Sequence, residues 1–525
     1  MHPTISSKRI KYGLVLLCVL HIIFSAWYIS QRDICADEPQ YIEYAKRWLH
    51  NHPDRIIPLD DSKTPLTAIA WLPRMVQQFK HQDLKYNDWG KSDQKAGRYV
   101  MMIYTLLTAL YIFGWSKKLL RGYWSLLPVA LFLFDPLILG HSGIIGSDIA
   151  SAWIYFALLF HLFSYIEQKK SKDFLLIAFY LGLACITKQN LVLLLLFIPL
   201  TVSIIHLQNK NVAPLFSKKN LMRIFYMLFL VCLVINMGFY FHGSFMSLGD
   251  YAFESASFNA WQQRLSFLHG VPIPFPKPFV LGYDMIRHHA EIGGGTELST
   301  YNGVSVLGRT SMTHGFWYYY LAVGFFKMTL PFIIVFLLAL IAFIKYSFQN
   351  KIRTDYIILI VPSICFFIAL SCFNVFQIGI RHIIFLLPPA FILMSVFLQK
   401  LITQSPIFYF LLLWQLISTT FYFNNYISYT NELVCNKTEI IKCIPDASID
   451  YNQNNSAAAV YVSMHSNFNL PSSKPMFGKF AVRAADVMHY NQSKPDTLAW
   501  LRNYQPVGNY KTTVWLYNIV DSLHH

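Results

Sequence analysis

Long apolar runs separated by short polar stretches dominate the chain. They fall at 12–30, 98–115, 123–140, 149–166, 174–187, 189–206, 224–242, 319–344, 356–376, 383–398 and 406–423. A helix that crosses a bilayer needs about 20 mostly apolar residues, so the pattern predicts an all-α polytopic transmembrane bundle of about eleven spans. The runs at 174–187 and 383–398 are short. Their membrane ends are therefore expected to include polar residues that line a cavity. Lys8, Arg9 and Lys11 precede the first run, as in a signal peptide. That run is longer than a signal core and has no small-x-small cleavage site, so it reads as a retained first helix.

The stretches between runs are not all short connectors. One covers 31–97 and begins with apolar and aromatic residues at helical spacing: Tyr41, Tyr44, Ala45, Trp48 and Leu49. That spacing predicts an interfacial amphipathic helix over Pro39 to His50. Another covers 243–318 and contains the proline-rich stretch Val271 to Pro278, then Gly293, Gly294 and Gly295. Such a loop serves either as a lid or as a connector. The tail from 424 is more polar, with strand-like runs at Ala458–Ser463 and Thr513–Ile519 and a helix-like run at Thr497–Asn503. It predicts a small α/β domain over 424–525, outside a membrane domain over 1–423. No inverted repeat of the transporter kind is evident.

Composition sharpens this picture. Only 13% of the 525 residues are charged, against about a quarter in soluble domains. The net charge of +16 would point to nucleic acid in a soluble chain, but here the basic residues sit in every second loop. Lys117, Lys118 and Arg121 follow the second run, and Lys169, Lys170 and Lys172 the fourth. Lys210, Lys218, Lys219 and Arg223 follow the sixth. Lys345, Lys351 and Arg353 follow the eighth, and Lys400 the tenth. By the positive-inside rule the amino terminus is cytoplasmic. The loops at 31–97, 141–148, 243–318 and 377–382 and the tail are then outside. Nucleic acid is not an expected partner; membrane lipid is. In an oxidising outer compartment Cys435 and Cys443 are expected to form a short-loop disulfide.

Candidate chemistry collects on that outer side. Asp37-Glu38 directly follows the first span, where a carboxylate can act as a general base. Alone, such a pair is more often an ordinary interfacial feature. Asp148 ends the short turn His141–Asp148. Acids at membrane depth usually face the bundle interior, although Asp148 also suits a helix N-cap. Lys188 lies at the outer junction of the fifth and sixth spans, against the inside bias of basic residues, and would pair with a lipid phosphate or snorkel. Lys63 is an ordinary loop lysine by itself. Arg381-His382 occupies the turn before the tenth span, where a guanidinium could clamp phosphate. His269, His288, His289 and His314 show no metal-ligand spacing, so a divalent metal lacks support, and no nucleotide-binding fingerprint is present.

The order of these motifs resembles the polyprenyl-phosphate-dependent membrane glycosyltransferases of the protein O-mannosyltransferase type (glycosyltransferase family 39, GT-C fold). The lipid A aminoarabinose transferases are related. The resemblance runs through Asp37-Glu38-Pro39 with Tyr41 and Ala45, then Lys63-Thr-Pro-Leu66. It continues through Phe134-Asp-Pro136 to His141 and Asp148, and through Leu181-Gly-Leu-Ala184 to Lys188. It ends in Gly315 to Tyr320, Lys327 to Pro331 and Gly379-Ile-Arg-His382 with Pro388. In the tail, Tyr426 to Glu432, Asp446 to Gln453, and Trp500 to Arg502 with Pro506 are similar to a bacterial branch. Ala447, Tyr451 and Asn452 stand where that branch tends to carry Ser, Trp and Gly, and Thr64 replaces the first proline of a Pro-Pro-Leu element.

The resemblance implies an inverting sugar transfer from a polyprenyl phosphate to a protein, lipid or glycan acceptor. It implies Asp37 as base with Glu38 in support, and Asp148 orienting base or acceptor. Lys63, Lys188 and Arg381 would hold the phosphate, with His382 and Tyr41 beside the substrates. It further implies a bacterial inner membrane with a periplasmic carboxyl terminus. A lipid-linked-sugar flippase and a non-catalytic scaffold are the rival readings of the same basic outer mouth.

Overall fold

The computed structural model describes all residues except 1–6, 57–59, 61–63, 81–90, 211–216, 293–303, 403–405, 445–446, 489–494 and 521–525. Every apolar run of the sequence contains a helix. Among the described residues eight helices are long and apolar enough to cross a membrane: Lys8–Gln31, Gln94–Leu119, Asp148–Gln168, Gln189–Gln208, Lys218–Gly238, Leu330–Gln349, Thr354–Cys372 and Ile380–Lys400. Gly122–Leu133, Ser171–Thr187 and Pro406–Phe421 are apolar but shorter.

Two runs are interrupted where the sequence reading had them continuous. The run 319–344 splits into Tyr319–Lys327 and Leu330–Gln349, because Thr329 Oγ1 accepts from the Phe332 amide and Pro331 opens the second helix. The run 123–140 stops at Leu133, and the Asp135 carboxylate caps Pro136–His141 by accepting from the Leu137 amide at 2.9 Å. Both breaks use an N-cap side chain followed by proline, and such a pair ends one helix and starts the next.

Asp148–Gln168 is the most buried span. It packs against Ile103–Leu119, Ser171–Thr187 and the 3-10 turn Ile380–Leu386. The Ser171–Thr187 helix in turn meets Lys218–Gly238 closely at Gly182, where a Cβ would lie 2.6 Å from Val234. The stretch after the first span folds into the helix Glu38–Leu49, the 3-10 turn Pro65–Trp71 and the helices Leu72–Lys80 and Lys91–Met101. The predicted amphipathic helix is therefore present, and its apolar face is buried through Tyr41, Ile42, Tyr44 and Ala45.

The stretch after the span Lys218–Gly238 holds helices Ala256–Arg264 and Lys277–Glu291 and a hairpin of β1 (Val304–Val306) and β2 (Arg309–Ser311). The glycine run on which the lid expectation rests lies outside the described residues.

The tail carries an antiparallel sheet of β3 (Gly478–Arg483), β4 (Gly508–Tyr510) and β5 (Val514–Ile519), with β5 central. The predicted strand at 458–463 is instead the helix Ala457–Met464. Three successive alanines outweigh the valines here, and Asp33 Oδ2 accepts from the Ser456 amide at 2.6 Å at the helix's positive end. The strand at 513–519 is present, and the helix-like run at 497–503 is the 3-10 turn Ala499–Asn503. Cys435 and Cys443 are both unbridged. Cys435 is exposed, whereas Cys443 ends the short helix Ile440–Cys443 and packs against the core, so the expected disulfide is absent.

The segment before the sheet is locked onto the bundle. Buried Lys327 donates from Nζ to the carbonyls of Ile427 at 2.7 Å and Ser448 at 2.5 Å. The backbone of Gly379, at φ 91°, donates to the Tyr319 hydroxyl at 2.6 Å and leads directly into Arg381. That conformation favours glycine strongly, and a Cβ there would also lie 3.2 Å from Ser448 Oγ. We expect Gly379→Ala to cost about 1–3 kcal/mol, read as a lowered unfolding temperature of the purified protein in detergent.

Candidate functional site

Asp37 sits at the start of the Glu38–Leu49 helix, and what fixes it is its neighbour. The Glu38 side chain is 1% exposed and accepts from Arg98 Nε at 2.9 Å and Nη2 at 2.5 Å. It also accepts from the amides of Cys35 at 2.7 Å and Ile145 at 3.1 Å. Arg32 lies 3.6 Å away and donates to the Gly143 carbonyl at 2.8 Å. The buried carboxylate thus staples the first outer loop to the second span and to the turn that ends in Asp148. Burial pushes the Glu38 carboxyl up, but the charges of Arg32 and Arg98 outweigh it and hold it below the ordinary range.

The tail completes the mouth from the other side. The amide of Ala36 donates to the Tyr451 carbonyl at 3.0 Å, and that of Asp33 to the Gln453 carbonyl at 2.9 Å. The Tyr451 hydroxyl then donates to Asp37 Oδ2 at 2.5 Å. Arg381 Nη1 donates to the same oxygen at 3.1 Å and to the Tyr451 hydroxyl, and its guanidinium stacks 4.3 Å from the Tyr451 ring centre. Burial raises the Tyr451 phenol well above its usual range, so it stays a donor at neutral pH. The turn that presents Tyr451 has Asn452 at φ 64°, a left-handed position suited to Gly or Asn.

Arg381 continues toward Asp148, whose Oδ2 lies 3.6 Å away, and Lys188 Nζ donates to Asp148 Oδ1 at 2.6 Å. Asp37, Arg381, Asp148 and Lys188 therefore form a line of alternating charge across the mouth. Half-buried His382 lies within electrostatic reach of Lys188, Arg381, Asp148 and Asp37. Tyr41 is buried one turn beyond Asp37, to whose carbonyl its amide donates at 3.2 Å, and its phenol meets Ser147. Side-chain exposure is 33% at Asp37 and 11–12% at Asp148, Lys188 and Arg381, so Asp37 is the carboxylate open to a substrate.

Beside Lys188 opens a small cleft, lined by Arg55, Thr64, Gln189, Phe239, Phe279 and Tyr283 among others. It offers cations on one wall and aromatic rings on another. Thr64 stands on this wall, and Lys63 lies outside the described residues. Among the described residues no three His, Cys, Asp or Glu side chains converge as a metal-ligand set.

The sequence reading named Asp37, Glu38, Asp148, Lys188, Arg381, His382 and Tyr41, and the structure brings all seven to one mouth. It missed Arg98, Arg32 and Arg55. Arg98 carried a signal: a basic residue at the outer end of a span runs against the charge bias and calls for an internal partner. Arg32 and Arg55 carried none, because their roles depend on contacts far along the chain.

Residues 89–239 match the model of the dolichyl-phosphate-mannose-protein mannosyltransferase family. No curated protein matches the chain significantly. Among solved structures, ArnT from Cupriavidus metallidurans in the apo state aligns at 10% identity and a TM-score of 0.52, over 93% of this chain and 87% of that one. ArnT bound to undecaprenyl phosphate aligns at 12% identity and 0.49, over the same shares. The apo oligosaccharyltransferase of Archaeoglobus fulgidus aligns at 13% and 0.46, over 93% of this chain and 60% of that one. The apo ArnT alignment establishes a shared fold across nearly the whole chain, and the family match bears out the resemblance read from the motifs.

Because Glu38 is buried with its partners, Glu38→Gln is expected to cost about 3–5 kcal/mol by leaving Arg98 uncompensated. Its lowered folded pKa stabilises the protein fully above the unfolded value near 4.3, and that stability is lost as the pH falls through the folded value. Thermal unfolding across acidic pH should show this limb in the native protein and not in Glu38→Gln.

Proposed function

We propose that this membrane glycosyltransferase-fold chain moves a sugar from a polyprenyl-phosphate donor to a protein, lipid or glycan acceptor, with inversion, at its extracytoplasmic mouth. The observation that carries the reading is the single charged line Asp37–Arg381–Asp148–Lys188, ending at an aromatic-walled cavity. A flippase would have no use for an exposed carboxylate held in a fixed orientation at the head of that line.

Asp37 is the base. It takes the proton of the acceptor hydroxyl or amine as that atom attacks the anomeric carbon. The bond from that carbon to the phosphate oxygen breaks on the opposite face, and the electron pair leaves with the phosphate. The departing anion needs no proton if cations hold it. Lys188 and Arg381 are placed for this, with Lys63 assigned to the same role by its motif. Each of these two cations is paired with Asp148 or Asp37. An arriving phosphate competes for them, which makes it easier for Arg381 to release the base as the donor binds.

Asp148 positions Lys188 and Arg381, and Glu38 positions Asp37 without touching substrate. Tyr451 orients the Asp37 carboxylate, and Tyr41 and His382 line the substrate side of the mouth. The amino terminus is cytoplasmic and the 424–525 domain extracytoplasmic, which in a bacterium places the reaction on the periplasmic face of the inner membrane.

Two outcomes are expected. With a polyprenyl-phosphate sugar and candidate acceptors, Asp37→Asn should lose about 10²–10⁴-fold in turnover. Tyr451→Phe, which removes one hydrogen bond to a charged group, should lose about 10–100-fold. Full transfer by Asp37→Asn would sink the proposed base. Separately, a cysteine placed at exposed Asn467 should react with an impermeant thiol reagent from the outside of intact cells, and labelling from the cytoplasm alone would reverse the orientation.

A further inference from the structure

The second outer loop builds a closed lobe over residues 240–277. Its two ends meet where the Lys277 amide donates to the His242 carbonyl at 2.9 Å. The two strands of chain then pair upward, with Phe245 N to Ile273 O at 2.9 Å, Leu248 N to Val271 O at 3.1 Å and Gly249 N to His269 O at 2.9 Å. The helix Ala256–Arg264 is tied across this ladder by Gln262, whose Nε2 donates to the carbonyls of Leu248 at 2.8 Å and Tyr251 at 2.9 Å. Phe241, Phe245, Trp261, Phe267 and Val271 nevertheless remain 45–78% exposed. So many bulky apolar side chains left outside a well-bonded lobe mark an interaction surface.

The depth of the lobe identifies what covers it. The Pro274 carbonyl accepts from Asn236 Nδ2 at 2.9 Å and from Cys232 Sγ at 3.1 Å. Both donors lie on the span Lys218–Gly238, and Cys232 stands six residues before its outer end. At 1.5 Å per residue that is about 9 Å inside the helix terminus. The proline-rich stretch thus descends beside a span that is itself largely uncovered by protein, with Leu228, Phe229 and Met237 exposed. The apolar surface of the lobe is continuous with a lipid-facing helix. The lobe also exposes Trp261, of a residue type enriched at the membrane–water boundary, together with Arg264 and His269.

We propose that the 240–277 lobe is a wedge seated in the outer leaflet, its aromatic face covered by lipid at the level of the headgroups and upper acyl chains. The wedge stands independently of the sugar-transfer reading, but it bears on access. Phe239 at its root and Phe279 just past its close are walls of the Lys188 cavity. Seating the lobe in lipid sets that cavity at headgroup depth, open to molecules diffusing in the leaflet.

The test uses full-length protein in nanodiscs of phosphatidylcholine and phosphatidylglycerol, with exposed Cys372 and Cys435 replaced by serine. A nitroxide on Phe267→Cys is compared with one on Asn467→Cys in the tail. Phe267 is 78% exposed, so its replacement leaves packing intact. Collision with oxygen should exceed collision with a water-soluble nickel chelate by roughly threefold or more at 267, as at an interface-buried site, and the order should reverse at 467. Equal behaviour of the two positions would overturn the wedge. So would nickel access at 267 that disappears only when an acceptor protein is added, because the occupant would then be protein.

Discussion

Arg381 lies between Asp37 and Asp148, and the geometry of the mouth depends on that guanidinium. A buried cation among carboxylates is stable only when each charge has a partner at close range. The chain meets this condition with residues from four distant segments. The first loop supplies Asp37, the turn before the third long span supplies Asp148, the end of Ser171–Thr187 leads to Lys188, and the tail supplies Tyr451. Much of the surrounding structure keeps these segments in register. Glu38 ties the loop to the 141–148 turn, Lys327 ties the tail to the bundle, and Gly379 aims Arg381 between them.

The bundle was legible in the sequence because lipid imposes a strict rule. A span must be apolar over its length, and charges that break the rule need internal partners. The runs, the orientation of charge and the line of acids and bases all follow from it. Helix breaks at Asp135 and Thr329 were legible only in principle, through a capping residue followed by proline inside an apolar stretch. The strand assigned at 458–463 failed for another reason. Short apolar runs do not reveal their period, and three alanines decided for helix.

Tyr451 shows both what a motif can say and what it leaves unsaid. The position stood out as a departure from a related branch, as did Asn452. The structure shows how the local backbone accommodates the second change, since Asn tolerates the left-handed turn nearly as well as Gly. It also shows that the first change puts a hydroxyl donor on the Asp37 carboxylate. No spacing rule links residues 414 apart in sequence, so that contact could be found only in three dimensions.

This separation also sets an order of events. Asp37 leaves the ribosome long before Tyr451. At about 5–20 residues per second, roughly 20–80 s of synthesis separate them. During that interval the spans after the first are made while the carboxylate lacks its tyrosine. The mouth is therefore finished only when the segment bearing Tyr451 has folded back onto the bundle. A chain cut short before Tyr451 would form the bundle and yet never acquire a complete site.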